Sequence, residues 1–169
     1  VTASAGAGTV RCKATRDVWL SAANSSETSC NMGAARTIKL KVWQEFGLVD
    51  FDVSALKQKR IAEAYVYIKP AGGGKFGINA GSDLKWLTLS TVSHDWVEGK
   101  SARYAPDPVG KGASFNEWSH GKGNWGFEGA RCWDVILGNG NTLRDDRMME
   151  VADGWLKARI DPRLVQALV

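Results

Sequence analysis

Glu63-Ala64-Tyr65-Val66-Tyr67-Ile68-Lys69 is the stretch that decides the fold class. Ala64, Val66 and Ile68 alternate with Glu63, Tyr65, Tyr67 and Lys69, the period of two that gives a β-strand one apolar and one polar face. Moving outward, Ile38, Leu40 and Val42 alternate with Lys39 and Lys41 in the same way. Phe46–Val53 is more continuously apolar, as a central sandwich strand would be. Leu84–Val92 is rich in β-branched and aromatic residues. Trp133–Leu137 and Trp155–Ile160 complete the set, and Thr9–Ala14 and Asp17–Leu20 read as opening strands.

Turn chemistry separates these runs at Ala71-Gly72-Gly73-Gly74, Asn79-Ala80-Gly81-Ser82 and Gly138-Asn139-Gly140-Asn141. Many short strands with such turns predict an all-β protein, an antiparallel β-sandwich of jelly-roll type. The reading is one sandwich domain over residues 9–169, preceded by a small, flexible lead at Val1–Gly8. Gly99–Arg131 is too long for a hairpin and is the kind of loop that carries function. At the far end, Asp161 stands as N-cap and Pro162 as first residue of a short helix bearing Leu164, Val165 and Leu168.

The composition is that of an ordinary globular chain, with 44% hydrophobic and 24% charged residues. Eight Trp and nineteen Gly against four Pro are the unusual counts. Each indole needs a partner for its N–H when buried, so eight imply a large aromatic core or stacking surfaces for a ligand. The net charge of +4 favours an acidic partner without demanding one. Lys and Arg are dispersed, with no basic stripe or arm, which argues against nucleic acid. No run approaches the length of a membrane span. Cys12 and Cys30 would close a loop of about 18 residues, a disulfide stabilising by roughly 3 kcal/mol in the loop-entropy model. The alternative is three buried thiols. With the bridge formed, Cys132 is left buried or paired outside this segment.

Catalytic motifs are scarce. Gly121-Lys122-Gly123-Asn124-Trp125-Gly126 spells a dinucleotide fingerprint but lacks the preceding strand and following helix. Gly99-Lys100-Ser101 resembles the end of a phosphate loop, yet His94 occupies the first-glycine position. His94 and His120 are the only imidazoles, too few for a His-based triad or metal site. Asp95, Glu98, Glu117 and Asp134 lie near the long loop and leave a two-acid glycosidase open by composition alone. On a sandwich surface such acids are usually solvated, and the chain reads as no enzyme. Asn24-Ser25-Ser26 fits the glycosylation pattern, a match that arises equally by chance.

A family resemblance runs through these segments. Phe46–Leu56 (FGLVDFDVSAL) followed by Arg60–Ile68 (RIAEAYVYI) resembles paired strands of DNRLRE-type carbohydrate-binding-module-like domains. Leu89–Gly99 (LSTVSHDWVEG) and Ala113–Trp118 (ASFNEW) resemble the family's next steps. Arg16–Leu20 (RDVWL) with Asn31-Met32-Gly33 resembles its opening, and Gly154–Leu168 (GWLKARIDPRLVQAL) a late strand and turn. These cover most of residues 10–169 in the family's order. Arg16 in place of a small residue, and the Gly- and Trp-rich run 112–130, are departures.

The resemblance implies a jelly-roll domain of a large secreted bacterial protein of planctomycete type, holding polysaccharide or joining other domains. The expected partners are a polysaccharide, an acidic one fitting the basic balance, and another chain or the remainder of the parent protein. The family's final strands do not follow Leu168, so the sandwich is expected to be completed by a polypeptide from outside this segment, the alternative being that Val1–Gly8 folds back to fill the gap. Sugars stack their C–H faces on aromatic rings. The candidate platforms are Trp118 and Trp125 in the long loop and Tyr65 and Tyr67 on the solvent face of their strand. The remaining tryptophans are assigned to the core. Jelly-roll modules also bind structural Ca²⁺ between first and last strands through carboxylates and carbonyls, and Asp17 and Asp161 stand at the matching positions. The alternative is that Asp17 caps a turn and Asp161 the final helix.

Overall fold

The computed structural model describes residues 1–5, 8–41, 44–71, 84–92, 94–137 and 143–169. The architecture is all-β, antiparallel and sandwich-like. Among the described residues, helix is confined to α1 (Cys132–Leu137), α2 (Pro162–Gln166) and one 3₁₀ turn at Ser54–Leu56. None of these helices is long and apolar enough to cross a membrane. The chain divides into two compact units, one of Val1–Lys13, Phe51–Thr91 and Leu143–Val169, the other of Ala14–Asp50 and Val92–Thr142. Each has its own hydrophobic core.

The first unit is built on a five-stranded sheet. It comprises β1 (Thr2–Ala5), β2 (Gly8–Arg11), β5 (Ile61–Ile68), β8 (Glu150–Ala152) and β9 (Trp155–Ile160), in the order β2-β1-β5-β9-β8. Every neighbouring pair is antiparallel. The alternation of β5 meets that of β9 in register: Ala64 faces Ile160, Val66 faces Ala158 and Ile68 faces Leu156. This apolar face packs with Leu56, Met149, Leu164 and Val165 into one core. β6 (Trp86–Ser90) pairs with β7 (Arg144–Met148) and adds Leu87 and Leu89 to that core as a second layer. The Gln166 side chain clamps α2 to β5, accepting from Ile61 N (3.0 Å) and donating to Lys59 O. Val1–Gly8, expected as a flexible lead, instead contributes β1 between β2 and β5.

In the second unit, β3 (Ala14–Ser21) pairs with β4 (Glu45–Phe51). Residues 96–125 supply Trp96, Ala113, Phe115 and Trp125 to the core, beside Val18 and Leu20 of β3, Leu48 of β4 and Cys132 and Val135 of α1. Two expected strands are corrected here. Trp133–Leu137 lies in α1: Cys132, Val135 and Ile136 carry helical, not alternating, apolar spacing, and the Asp134 carboxylate accepts the Arg131 N–H at the helix start (2.7 Å). Ile38–Leu40 is irregular, because the Lys39 ammonium is drawn onto the buried Glu45 carboxylate and only Lys41 bridges to Glu45. Val42, Trp43 and the three glycine-rich turn segments after Ala71 lie outside the described residues.

Asn31 organises the loop. It is fully buried, and its amide donates to Glu98 O (2.7 Å) and Ala113 O (2.8 Å) while accepting from Gly33 N and Ser101 N. A Cβ at Gly99 or Gly112 would lie within 2.4 or 2.3 Å of this side chain, and one at Gly33 within 1.9 Å of Glu98 O. Only glycine leaves room for the amide. Asn31→Asp preserves shape but removes both donors, leaving two buried carbonyls unsatisfied at about 1–3 kcal/mol each. Chemical denaturation is expected to show a loss of roughly 2–6 kcal/mol on that count; a loss below about 1 kcal/mol would refute the hub.

The Cys12–Cys30 bridge is not formed. Cys12, Cys30 and Cys132 are all free, buried thiols, with Cys12 and Cys30 in different units. Burial pushes all three thiols up from their ordinary range, Cys132 the furthest. The thiolate is the reactive form. A disulfide-exchange reagent should therefore label the folded protein slowly, and should find three thiols once the unreduced chain is unfolded. A single reactive thiol in the unfolded chain would restore the bridge.

Candidate functional site

The alternation that sends Ala64, Val66, Leu156 and Ala158 inward sends their neighbours outward. Tyr65 lies opposite Arg159, and Tyr67 opposite Lys157. Trp155, two residues before Lys157, emerges on the same face. Tyr67 is 38% exposed and Trp155 40%, while Tyr65 is half-buried. The Lys157 ammonium lies 4.5 Å from the Tyr65 ring centre and 5.8 Å from that of Tyr67. The Lys69 ammonium lies 5.5 Å from the Trp155 ring. Arg159 pairs with Glu63 at 2.9 Å. The solvent face of the β5–β9 ladder is thus a patchwork of three aromatic rings and three cations.

That arrangement suits a ligand with apolar faces and polar or acidic rims. Tyrosine and tryptophan carry large contact area on only two side-chain dihedrals, so little side-chain entropy is lost when a ligand stacks on them. Charged groups beside the rings supply directional bonds that stacking lacks. Tyr65 and Tyr67 stand where the sequence put them. Trp155 is a correction to the core assignment: Trp155-Leu156-Lys157-Ala158-Arg159-Ile160 alternates cleanly and groups the indole with Lys157 and Arg159. Trp86, also assigned to the core, is 65% exposed on β6, opposite Met148 at 61%.

The two loop tryptophans belong to the second unit and have different fates. Trp125 is a correction. It is 0% exposed, with its indole N–H donating to Ser114 O at 3.0 Å, and so cannot meet a ligand. Trp118 is half-buried, with its ring 5.4 Å from that of His94, which in turn abuts Trp125 at 5.9 Å. His94 is therefore a packing partner of aromatics. Its Nδ1 lies 2.7 Å from Asp95 O.

Asp17 belongs to the second unit and Asp161 to the first. Burial, and then the nearby Glu98 carboxylate, raise the Asp17 pKa, and Asp17 N donates to Glu98 Oε1. Both Asp161 oxygens are taken by the Arg163 guanidinium, and Oδ1 also caps α2 through Arg163 N. Among the described residues, no group of three or more His, Cys, Asp or Glu side chains is placed to hold a metal.

No known family matches the chain, and neither the curated proteins nor the solved structures contain a match to it.

The Arg163 side chain, and then its backbone N–H, hold the Asp161 carboxyl down from its ordinary 3.8 to about 2. A depressed carboxylate pKa contributes stability above the unfolded value and loses it as pH falls through the folded one. Asn caps a helix about as well as Asp, so Asp161→Asn isolates the charge. The stability gap between wild type and variant should be constant above about pH 5, shrink as pH falls from there through about 2, and close only below that. A gap that persists in acid would mean that the cap, not the ion pair, is responsible.

Proposed function

We propose that this chain is a non-catalytic polysaccharide-binding module of a secreted protein, and that it binds through the solvent face of the β5–β9 ladder. The observation that carries the proposal is the grouping of Tyr65, Tyr67 and Trp155 with Lys69, Lys157 and Arg159 on one sheet face. A sheet used for stability alone has no need of three solvent-facing rings interleaved with cations. The ordered likeness to DNRLRE-type domains supports the same reading.

A second reading, an interaction domain within an extracellular assembly, is favoured by one observation. Trp86 and Met148 face each other across the β6–β7 ladder, both largely exposed. Size measurement of the isolated chain separates the two: a monomer that binds glycan fits the module, and a concentration-dependent oligomer blocked by Trp86→Ser fits the assembly.

The binding face is tested by electrophoresis through gels containing a panel of neutral and acidic polysaccharides. Tyr67→Ala and Trp155→Ala should each weaken retention in the retarding polymer by several-fold, matching the about 0.5–1.5 kcal/mol of an aromatic contact. Trp125→Phe, a core change, should leave retention unaltered in whatever fraction remains folded. Full retention by the Tyr67→Ala/Trp155→Ala double variant would reject the face.

A further inference from the structure

We propose that a cleft at the end of β9 takes the acidic group, a carboxylate or sulfate ester, of the bound sugar chain. This rests on the reading of the β5–β9 face and adds the chemical class of its ligand. The cleft has a volume of about 370 Å³ and is lined by Arg147, Arg159, Ile160, Asp161 and Pro162.

Its two guanidinium groups are anchored from behind. Arg147 Nε donates to Asp145 Oδ2 at 2.8 Å, and Asp145 is itself fixed, because the same oxygen accepts from Asp161 N at 2.6 Å and the side chain is largely buried. The Nη groups of Arg147 make no hydrogen bond among the described residues. Arg159 gives one Nη to Glu63 and likewise keeps further donors. The one acid lining the cleft, Asp161, is neutralised by Arg163 and directs both oxygens to it. The cleft therefore offers the donor halves of two oriented forks, and a guanidinium fork matches the paired oxygens of a carboxylate or sulfate. Ile160 and Pro162 supply apolar walls.

The cleft and the aromatic face share a residue. Arg159 lies directly opposite Tyr65 in the β5–β9 register, so a sugar ring over Tyr65 carries its substituents toward the Arg159 side chain. The carboxylates behind each arginine leave little net charge at the site. Selectivity for an acidic sugar then depends on fork geometry, and a lysine, a point charge without a fork, cannot replace either arginine.

The test uses the whole chain, its Arg147→Lys/Arg159→Lys and Arg147→Ala/Arg159→Ala variants, and two sets of probes. Free galacturonate, free sulfate and neutral galactose are titrated while the arginine Nε–H resonances are followed by NMR. Gels containing polygalacturonate, dextran sulfate or neutral galactan report on polymer. Galacturonate or sulfate should shift the Arg147 and Arg159 resonances while galactose does not. Both variants should keep their fold by circular dichroism yet lose about tenfold or more of their retention in the acidic gel that retards the wild type. Retention in polygalacturonate but not dextran sulfate identifies a carboxylate, and the reverse a sulfate ester. If free acids leave both resonances unmoved, or the Lys variant binds acidic polymer like wild type, the cleft is wrong, even where the sheet still retains polymer. If free acids bind at the arginines and no polymer is retained, the cleft stands and the reading of the sheet falls.

Discussion

The period-two alternation of β5, locked in register with β9, is the constraint on which the first unit depends. A strand with side chains on both faces cannot slip by one residue without exchanging its entire inner and outer sets. Here a slip would drive Tyr65, Tyr67 and Lys157 into the core and expose Ala64, Val66 and Ala158. The cost of burying Lys157 unpaired, added to the loss of the apolar layer, makes the observed register the only tenable one. The same register creates the outward face of rings and cations, so core and candidate site arise from one physical requirement. β1 on one side and β8 beyond β9 extend the ladder, and α2, clamped by Gln166, closes the core beside β5.

The second unit solves a different problem. Its long loop has little regular secondary structure, so its backbone polar groups must find partners elsewhere. Asn31 satisfies four of them with one side chain and joins residues 33, 98, 101 and 113. Asp107 does the same nearby, accepting from Lys100 N and Gly110 N. Trp125 then fills the interior with its single donor satisfied by Ser114 O. Fixed polar bonds to backbone, with glycines where the side chains press closest, give this loop the rigidity that ladders give the sheet.

What could be read from the sequence follows the same division. β5 and β9 were legible because their alternation is uninterrupted, and the α2 cap because Asp161-Pro162 is a local signal. Tyr65 and Tyr67 followed from the strand. Trp155 was legible too, since its own strand alternates, but was assigned to the core on residue type in place of period. β7 was not legible: Arg144-Asp145-Asp146-Arg147-Met148 shows no apolar face, and Asp145 turns inward only because Arg147 and Asp161 N await it. Trp133–Leu137 reads as a strand because the run taken alone leaves out Cys132, whose spacing to Val135 and Ile136 carries the helical period. Trp125 misled because a Gly-rich loop suggests exposure, whereas this loop folds over its indole. The cysteine pairing rested on loop length, which carries no information about which core receives each thiol.

The cation–π contacts on the sheet bear on how such a face could work. Lys157 covers part of Tyr65, so a sugar that stacks there must first move the ammonium aside. At an exposed site that contact is worth about 0.5–1 kcal/mol, no more than an aromatic contact returns, and exposed rotamers exchange on the picosecond-to-nanosecond scale. Displacement is therefore neither slow nor costly. The ammonium, once moved, stays tethered to the ring's edge by its own strand, where a hydroxyl or an acid on the sugar would meet it. In the unbound protein the lysine shields a ring that would otherwise invite association with other apolar surfaces. On the proposed reading one side chain would serve both states: a cover over Tyr65 when the face is empty and a hydrogen-bond donor at its rim with a sugar bound.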